Sequence, residues 1–146
     1  LAPNDMPARI QEYCRKTNQR VPASRGEIAR VVYESLALKY RWAIERLEQD
    51  MLKKSVKVLH IVGGGSKNEM LNQFTADAIH RPVIAGPDEG TVIGNLLVQA
   101  MGVGAVKNVG ELRRVVENSF PTKRFYPEDV AAWDAAYAKY LQVVGN

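Results

Sequence analysis

The sequence predicts an α/β fold, rich in helix and with few strands. Three observations carry that prediction. The apolar run Val56–Val62 ends in three consecutive glycines, Gly63, Gly64 and Gly65, which lead into a helix signal. A serine–glutamate capping signal at Ser24–Glu27 opens a long stretch with apolar residues at helical spacing. A second apolar run, Val83-Ile84-Ala85, comes one helix later and is itself followed by a helix. Strands that alternate with helices in this way build α/β layers.

The elements follow in order. Asp5 to Thr17 reads as a short helix, capped by Asn4 or Asp5, with Pro7 in the first turn where a missing amide does no harm. Val21-Pro22-Ala23 is a linker. The helix opened by Ser24 runs to about Leu52, with Ile28, Val31, Val32, Ser35, Leu36, Leu38, Trp42 and Leu47 on its apolar face. Trp42 and Tyr33 read as core. Val56–Val62 is apolar almost throughout, the pattern of a strand covered on both faces. His60 within it reads as a hydrogen-bonded core residue. Ser66-Lys67-Asn68-Glu69 reads as a second capping box, and the helix it opens runs to about His80. Met70, Leu71, Phe74, Ala78 and Ile79 form its expected buried side. His80 sits at the helix end, where a positive charge suits the dipole.

Pro82 stops that helix, Val83-Ile84-Ala85 is a short strand, and Gly86-Pro87-Asp88 turns the chain. Asp88 is placed to cap a helix from Glu89 to Met101. Gly90 and Gly94 within it each cost about 1 kcal/mol against alanine, so a close approach to another helix or backbone is expected there. Gly102-Val103-Gly104 breaks the chain. Gly110 to Asn118 is a short helix and Pro121 to Tyr126 a loop. Pro127-Glu128-Asp129 starts a last helix, with Val130, Trp133, Ala136, Tyr137 and Tyr140 facing inward. The strands are too few for a complete sheet.

Composition narrows the function. At 146 residues the chain fits one domain with a sizeable core. A net charge of +4 is spread along the chain, and its densest stretch, Arg41 to Lys57, is mixed with Glu45, Glu48 and Asp50. That is a solvated helix face, so no nucleic-acid partner is expected. The single cysteine, Cys14, rules out an intrachain disulfide framework and fits a reducing, cytoplasmic setting. Cys14 itself reads as buried or incidental. With two histidines and one cysteine, no metal-ligand cluster is visible in the sequence. No apolar run is long enough to span a membrane, and no signal peptide stands at the start. The chain opens at Leu1 without an initiator methionine, and upstream sequence is expected for that reason.

The glycine turn carries the functional signal. A strand, a turn without side chains and a helix N-terminus together suit an anionic or nucleotide ligand. A P-loop needs Gly-Lys-Ser/Thr four residues after its first glycine, and here Lys67 follows Ser66. A dinucleotide fingerprint needs a third glycine where Asn68 stands, which weakens that reading. A sharp turn with no ligand remains the alternative. Three glycines in a row are more than a turn by itself needs, given their entropy cost.

Wording along the chain resembles the C-terminal part of the FGGY carbohydrate kinases. The matching stretches are Leu59-His60-Ile61-Val62-Gly63-Gly64-Gly65-Ser66-Lys67-Asn68, Leu71-Asn72-Gln73-Phe74-Thr75-Ala76-Asp77-Ala78, Val83-Ile84-Ala85-Gly86-Pro87-Asp88-Glu89 with Gly94-Asn95, and the upstream Glu27 to Tyr40 helix. The resemblance covers nearly the whole chain. It implies a helix-rich part of a ribonuclease H-like domain of the actin and hexokinase type, with ATP and sugar bound between two domains. It implies that the triple glycine belongs to the adenosine side, with Gly64 on the nucleotide and Asn68 beside the adenine, where an amide offers both a donor and an acceptor. Gly63 and Gly65 would permit the turn, and Ser66 would act only as a cap. Gly90 departs from the small alanine-type residue the family carries there.

The same resemblance implies ATP and Mg2+ as cofactors and a ketose sugar as substrate. The family's general-base aspartate and phosphate loops lie upstream of this region, so no catalytic residue and no metal ligand is assigned within residues 1–146. The expectation is the C-terminal nucleotide-binding part of a longer kinase, inactive alone. Another sugar or polyol kinase of the family, a non-catalytic nucleotide-binding module and a dinucleotide-binding domain are the alternatives. Without upstream strands, an apolar face and a sheet edge would be bare, and the chain is expected to self-associate. A monodisperse monomer in light scattering at high concentration would count against that.

Overall fold

The computed structural model describes residues 4–144. In chain order the elements are α1 (Met6–Lys16), α2 (Arg25–Arg46) prolonged by a π-helical turn (Leu47–Leu52), β1 (Leu59–Ile61), a 3-10 turn (Gly64–Lys67), α3 (Glu69–Ile79), β2 (Val83–Ala85), α4 (Gly90–Gly102), α5 (Val109–Ser119), β3 (Lys123–Phe125) and α6 (Val130–Val144). Asp5, not Asn4, caps α1, its carboxylate accepting from the Ala8 amide at 3.3 Å. Ser24 and Glu27 form the expected capping box of α2, each side chain accepting the other's backbone N–H.

The sheet has order β1-β2-β3. β1 and β2 are parallel, with Leu59 opposite Val83 and Ile61 opposite Ala85, and α3 makes the crossover between them. β3 runs antiparallel to β2, with Phe125 opposite Val83. Residues 121–126, expected to be a loop, thus contain a strand. Lys123-Arg124 gives no apolar alternation, yet a short, charged strand is what a sheet edge tolerates.

Two packed clusters meet on α3. On its sheet side, Ala76 and Ile79 join Val83, Ala85 and Phe125. On its other side, Ala78 joins Ala37 and Leu38 of α2 and Trp133 and Tyr137 of α6, with Trp42 and Phe74 packed against them. Trp133 and Tyr137 are thus core residues as expected, Trp42 and Tyr33 are only partly buried, and Cys14 is buried. Because α3 is covered on two sides, its buried set is wider than an amphipathic stripe predicts. Asn72, Thr75 and Asp77 are buried although polar, whereas Met70, expected inside, is 44% exposed. Most of their polar atoms are paired, Asn72 Oδ1 being buried without a hydrogen-bond partner among the described residues. Thr75 Oγ1 donates to Leu71 O at 2.6 Å, and Asp77 accepts from the Glu128 amide at 2.8 Å, which fixes the approach to α6.

The strand expected over Val56–Val62 is confined to Leu59–Ile61. Its one partner among the described residues, β2, is three residues long, and the Val56 amide is taken instead by the Glu48 carboxylate. Leu59 and Ile61 are half-buried and His60 is exposed, so neither two-sided cover nor a core histidine is found. Arg81 grips Glu48 through two nitrogens at 2.7 and 3.0 Å, and with the Val56 amide it holds that carboxyl below its usual range. This pairing ties the end of α2 to the segment before β2. Much of the predicted apolar face of α2 stays open, with Val32 and Leu36 each 37% exposed. Among the described residues, no helix is long and apolar enough to cross a membrane.

Candidate functional site

The turn between β1 and α3 is built from the backbone outward. Gly63 has φ +82°, a conformation L side chains rarely adopt, so glycine is required there. Its amide donates to Pro87 O at 3.0 Å, and the Gly86 amide donates to Ile61 O at 2.8 Å. These two bonds staple the turn to the loop after β2. Gly86 is required as well: at φ +111° a Cβ would lie 2.9 Å from Pro121 O. Beyond Gly63 the chain makes one 3-10 turn, with the Ser66 amide donating to Gly63 O at 2.9 Å.

Gly64 and Gly65 differ from Gly63. Neither has a positive φ, and a Cβ on either would meet nothing within 4 Å. Both are exposed. The fold of this chain therefore gives no reason for glycine at these two positions. Gly90 does have a close neighbour, since a Cβ there would stand 3.1 Å from Val62 Cβ. Gly94 has none within 4 Å, so the close approach expected there is not found among the described residues.

The 3-10 turn moves the helix start and reassigns the polar residues. Asn68, not Ser66, caps α3, its Oδ1 accepting from the Leu71 amide at 3.0 Å. The amide oxygen of Asn68 is thus engaged at the helix start. Ser66 is buried and turns back, with Oγ 2.7 Å from Gly63 O and 2.9 Å from Asp88 Oδ1. Asp88 does not cap α4, which has Glu89 at its N-cap and no side-chain cap bond. It pairs with Lys67 instead, Nζ to Oδ2 being 3.1 Å. Lys67 first and Ser66 second hold the Asp88 carboxyl below its usual range. Asn72, fully buried, donates from Nδ2 to Ser66 O at 2.8 Å and supports the turn from below.

The structure thus brings Gly63, Gly64, Gly65 and Asn68 to one turn. Sequence reading missed the Ser66–Asp88 link and the Asn72 support. The first spans 22 residues and carries no local signal. The second is a polar side chain on the buried face of a helix, which spacing alone ranks as a surface position. His80 lies apart from the turn: its Nε2 is 3.2 Å from Asp134 Oδ1 and 3.3 Å from Arg41, at the junction of α2, α3 and α6. Among the described residues no group of three or more His, Cys, Asp or Glu is placed to hold a metal ion. Of the carboxylates near the turn, Asp88 is engaged by Lys67 and Ser66, and Glu69 by Lys123. Among the described residues the turn therefore offers no ready ligand set for a metal ion.

The fold and turn together define a class. The backbone resembles a xylulose kinase from Rhodospirillum rubrum with a TM-score of 0.64 and 21% identity, over 83% of this chain and 24% of that one. This is part of the ribonuclease H-like fold of actin- and hexokinase-type ATPases. Residues 1–103 match the FGGY family of carbohydrate kinases, C-terminal domain. The chain belongs to the FGGY family of carbohydrate kinases. It is 49% identical over 142 residues to a rhamnulokinase of Bacteroides thetaiotaomicron, covering 97% of this chain and 29% of that protein. It is 46% identical over 130 residues to a rhamnulokinase of Bacillus subtilis, covering 89% and 27%. The chain thus spans under a third of the length of these relatives.

Proposed function

We propose that the chain is the C-terminal, nucleotide-binding part of a longer cytoplasmic kinase that transfers the terminal phosphate of ATP to the 1-hydroxyl of L-rhamnulose, with Mg2+. Gly63, Gly64, Gly65 and Asn68 form the adenosine side of its site. One observation carries the nucleotide part: Gly64 and Gly65 are exposed, free of backbone need and free of neighbours. Two glycines that the fold does not need are explained by a ligand that lies against the bare backbone. The sugar rests on the rhamnulokinases among the relatives.

Phosphoryl transfer depends on positioning and on neutralising phosphate charge. This chain contributes the first, as a wall for the nucleotide. The base and the magnesium ligands belong to the remainder of the kinase. The 146-residue chain by itself is accordingly expected to bind ATP weakly and to phosphorylate nothing. A groove of about 700 Å³ between α1, α2 and α6, lined by Ile10, Tyr13, Val32, Leu36 and Tyr140, supports the self-association expected of the isolated chain.

The test is ADP formation by the complete gene product with ATP, magnesium and each of L-rhamnulose, L-fuculose and D-xylulose. Clear preference for L-rhamnulose is the expected result. Preference for another sugar would replace the substrate and keep the nucleotide site, leaving a fuculokinase, xylulokinase or polyol kinase of the same family. No turnover with any sugar would leave a non-catalytic nucleotide-binding module as the better reading.

A further inference from the structure

The glycine turn has almost nothing packed on it, so its shape depends on its tethers. A Cβ at Gly64 or Gly65 would meet no atom within 4 Å. Three glycines lose more freedom on ordering than any other residues would. Some contact must hold them in one shape before a ligand arrives, or that ordering is charged against binding.

The tethers converge on one side chain. Asp88 lies on the loop after β2, exposed and outside both packed clusters. Its Oδ1 is 2.9 Å from Ser66 Oγ and its Oδ2 is 3.1 Å from Lys67 Nζ. Ser66 and Lys67 are the two residues that directly follow the glycines. The Ser66 hydroxyl carries one proton but faces two acceptors, Gly63 O at 2.7 Å and Asp88 Oδ1. Asp88 is held ionised by Lys67 and Ser66, so it supplies no proton of its own. The hydroxyl either closes the turn on itself at Gly63 or locks it to the loop at Asp88. Lys67 keeps the loop in place in both states.

We propose that Asp88 is a positioning residue, which with Ser66 and Lys67 forms a clasp that holds the Gly63–Ser66 backbone in the shape that receives the nucleotide. The proposal rests on the ATP reading above. Asp88 does not touch the nucleotide in this scheme; it acts through Ser66 and Lys67. An asparagine in its place retains an oxygen that accepts from Ser66 but loses the charge that holds Lys67.

The test compares Asp88→Ala, Asp88→Asn and Lys67→Met in the complete kinase. Asp88→Ala is expected to raise the KM for ATP by about three- to tenfold, the range of one ordinary solvent-exposed hydrogen bond, with kcat and the KM for sugar little changed. Asp88→Asn and Lys67→Met should fall between it and the parent. Amide hydrogen exchange at Gly64, Gly65 and Ser66 should quicken by a similar factor in Asp88→Ala, while exchange along α3 stays as it was. An unchanged KM for ATP with unchanged exchange at the turn overturns the clasp. So does faster exchange along the whole of α3 with a lower melting temperature, which marks Asp88 as merely structural. Failure of the ATP reading looks different: the parent enzyme itself then consumes no ATP, and the nucleotide role of Asp88 falls with it.

Discussion

A leucine at Gly64 is expected to raise the KM for ATP about tenfold to a hundredfold while the melting temperature stays where it is, the range expected when a well-fitted contact is overpacked or displaced. The stability half follows from the geometry. Gly64 has no positive φ, and nothing stands within 4 Å of its Cβ position. Losing a glycine also restricts the unfolded chain, which favours the folded state slightly. The binding half follows from the same emptiness, because the new side chain fills the space proposed for the nucleotide. Gly63 is the control. At φ +82° and ψ −172° a leucine there strains the backbone by about 1–3 kcal/mol, so stability and affinity fall together. Thermal unfolding and ATP kinetics on the two variants of the complete kinase separate the cases. If Gly64→Leu keeps its KM for ATP, the turn is bare and its glycines need another explanation.

Local chemistry made much of this molecule legible in the sequence. The Ser24–Glu27 capping box, the helices and the strand–glycine–helix order are written within a few residues of one another. The resemblance at the glycine turn led to the family. What failed was non-local. β1 shrank to three residues because its pairing is limited by the length of β2, which no pattern around Val56 reports. β3 escaped because an edge strand needs no apolar alternation. Asn68 took over the cap from Ser66 because a 3-10 turn consumes the first residues after the glycines, and Ser66 was drawn away by an aspartate 22 residues on. Asn72 and Asp77 were placed inside because α3 is covered on two sides. A helical stripe records one buried face, and a second face changes which polar residues are surface and which hold the site together.

That double cover makes Trp133 the position where stability is most exposed to change. Trp133→Ala is expected to cost about 3–5 kcal/mol, the range for an aromatic removed from a packed core. Trp133 is 8% exposed and sits among Ala37, Leu38, Ala78 and Tyr137. Its ring lies 5.3 Å from Phe74 of α3, centroid to centroid, in a tilted arrangement. It is therefore the main seal between α6 and the back of α3. The loss should appear as a lower denaturant midpoint with an unchanged slope, since the surface exposed on unfolding hardly alters. In a protein of this size it should lower the melting temperature by roughly ten degrees. Trp133→Phe should recover a good part, because a ring remains opposite Phe74. In the complete kinase the KM for ATP, measured well below the melting temperature, should stay near that of the parent. The glycine turn is stapled to the loop after β2 through Pro87 O and Asp88, on the sheet side of α3, and α6 lies on the other. A loss below about 1 kcal/mol, the size expected of an ordinary surface change, would mean that α6 does not close this core. A rise in the KM for ATP as large as that of Gly64→Leu would mean that α3 transmits strain from its packed face to the turn at its N-terminus.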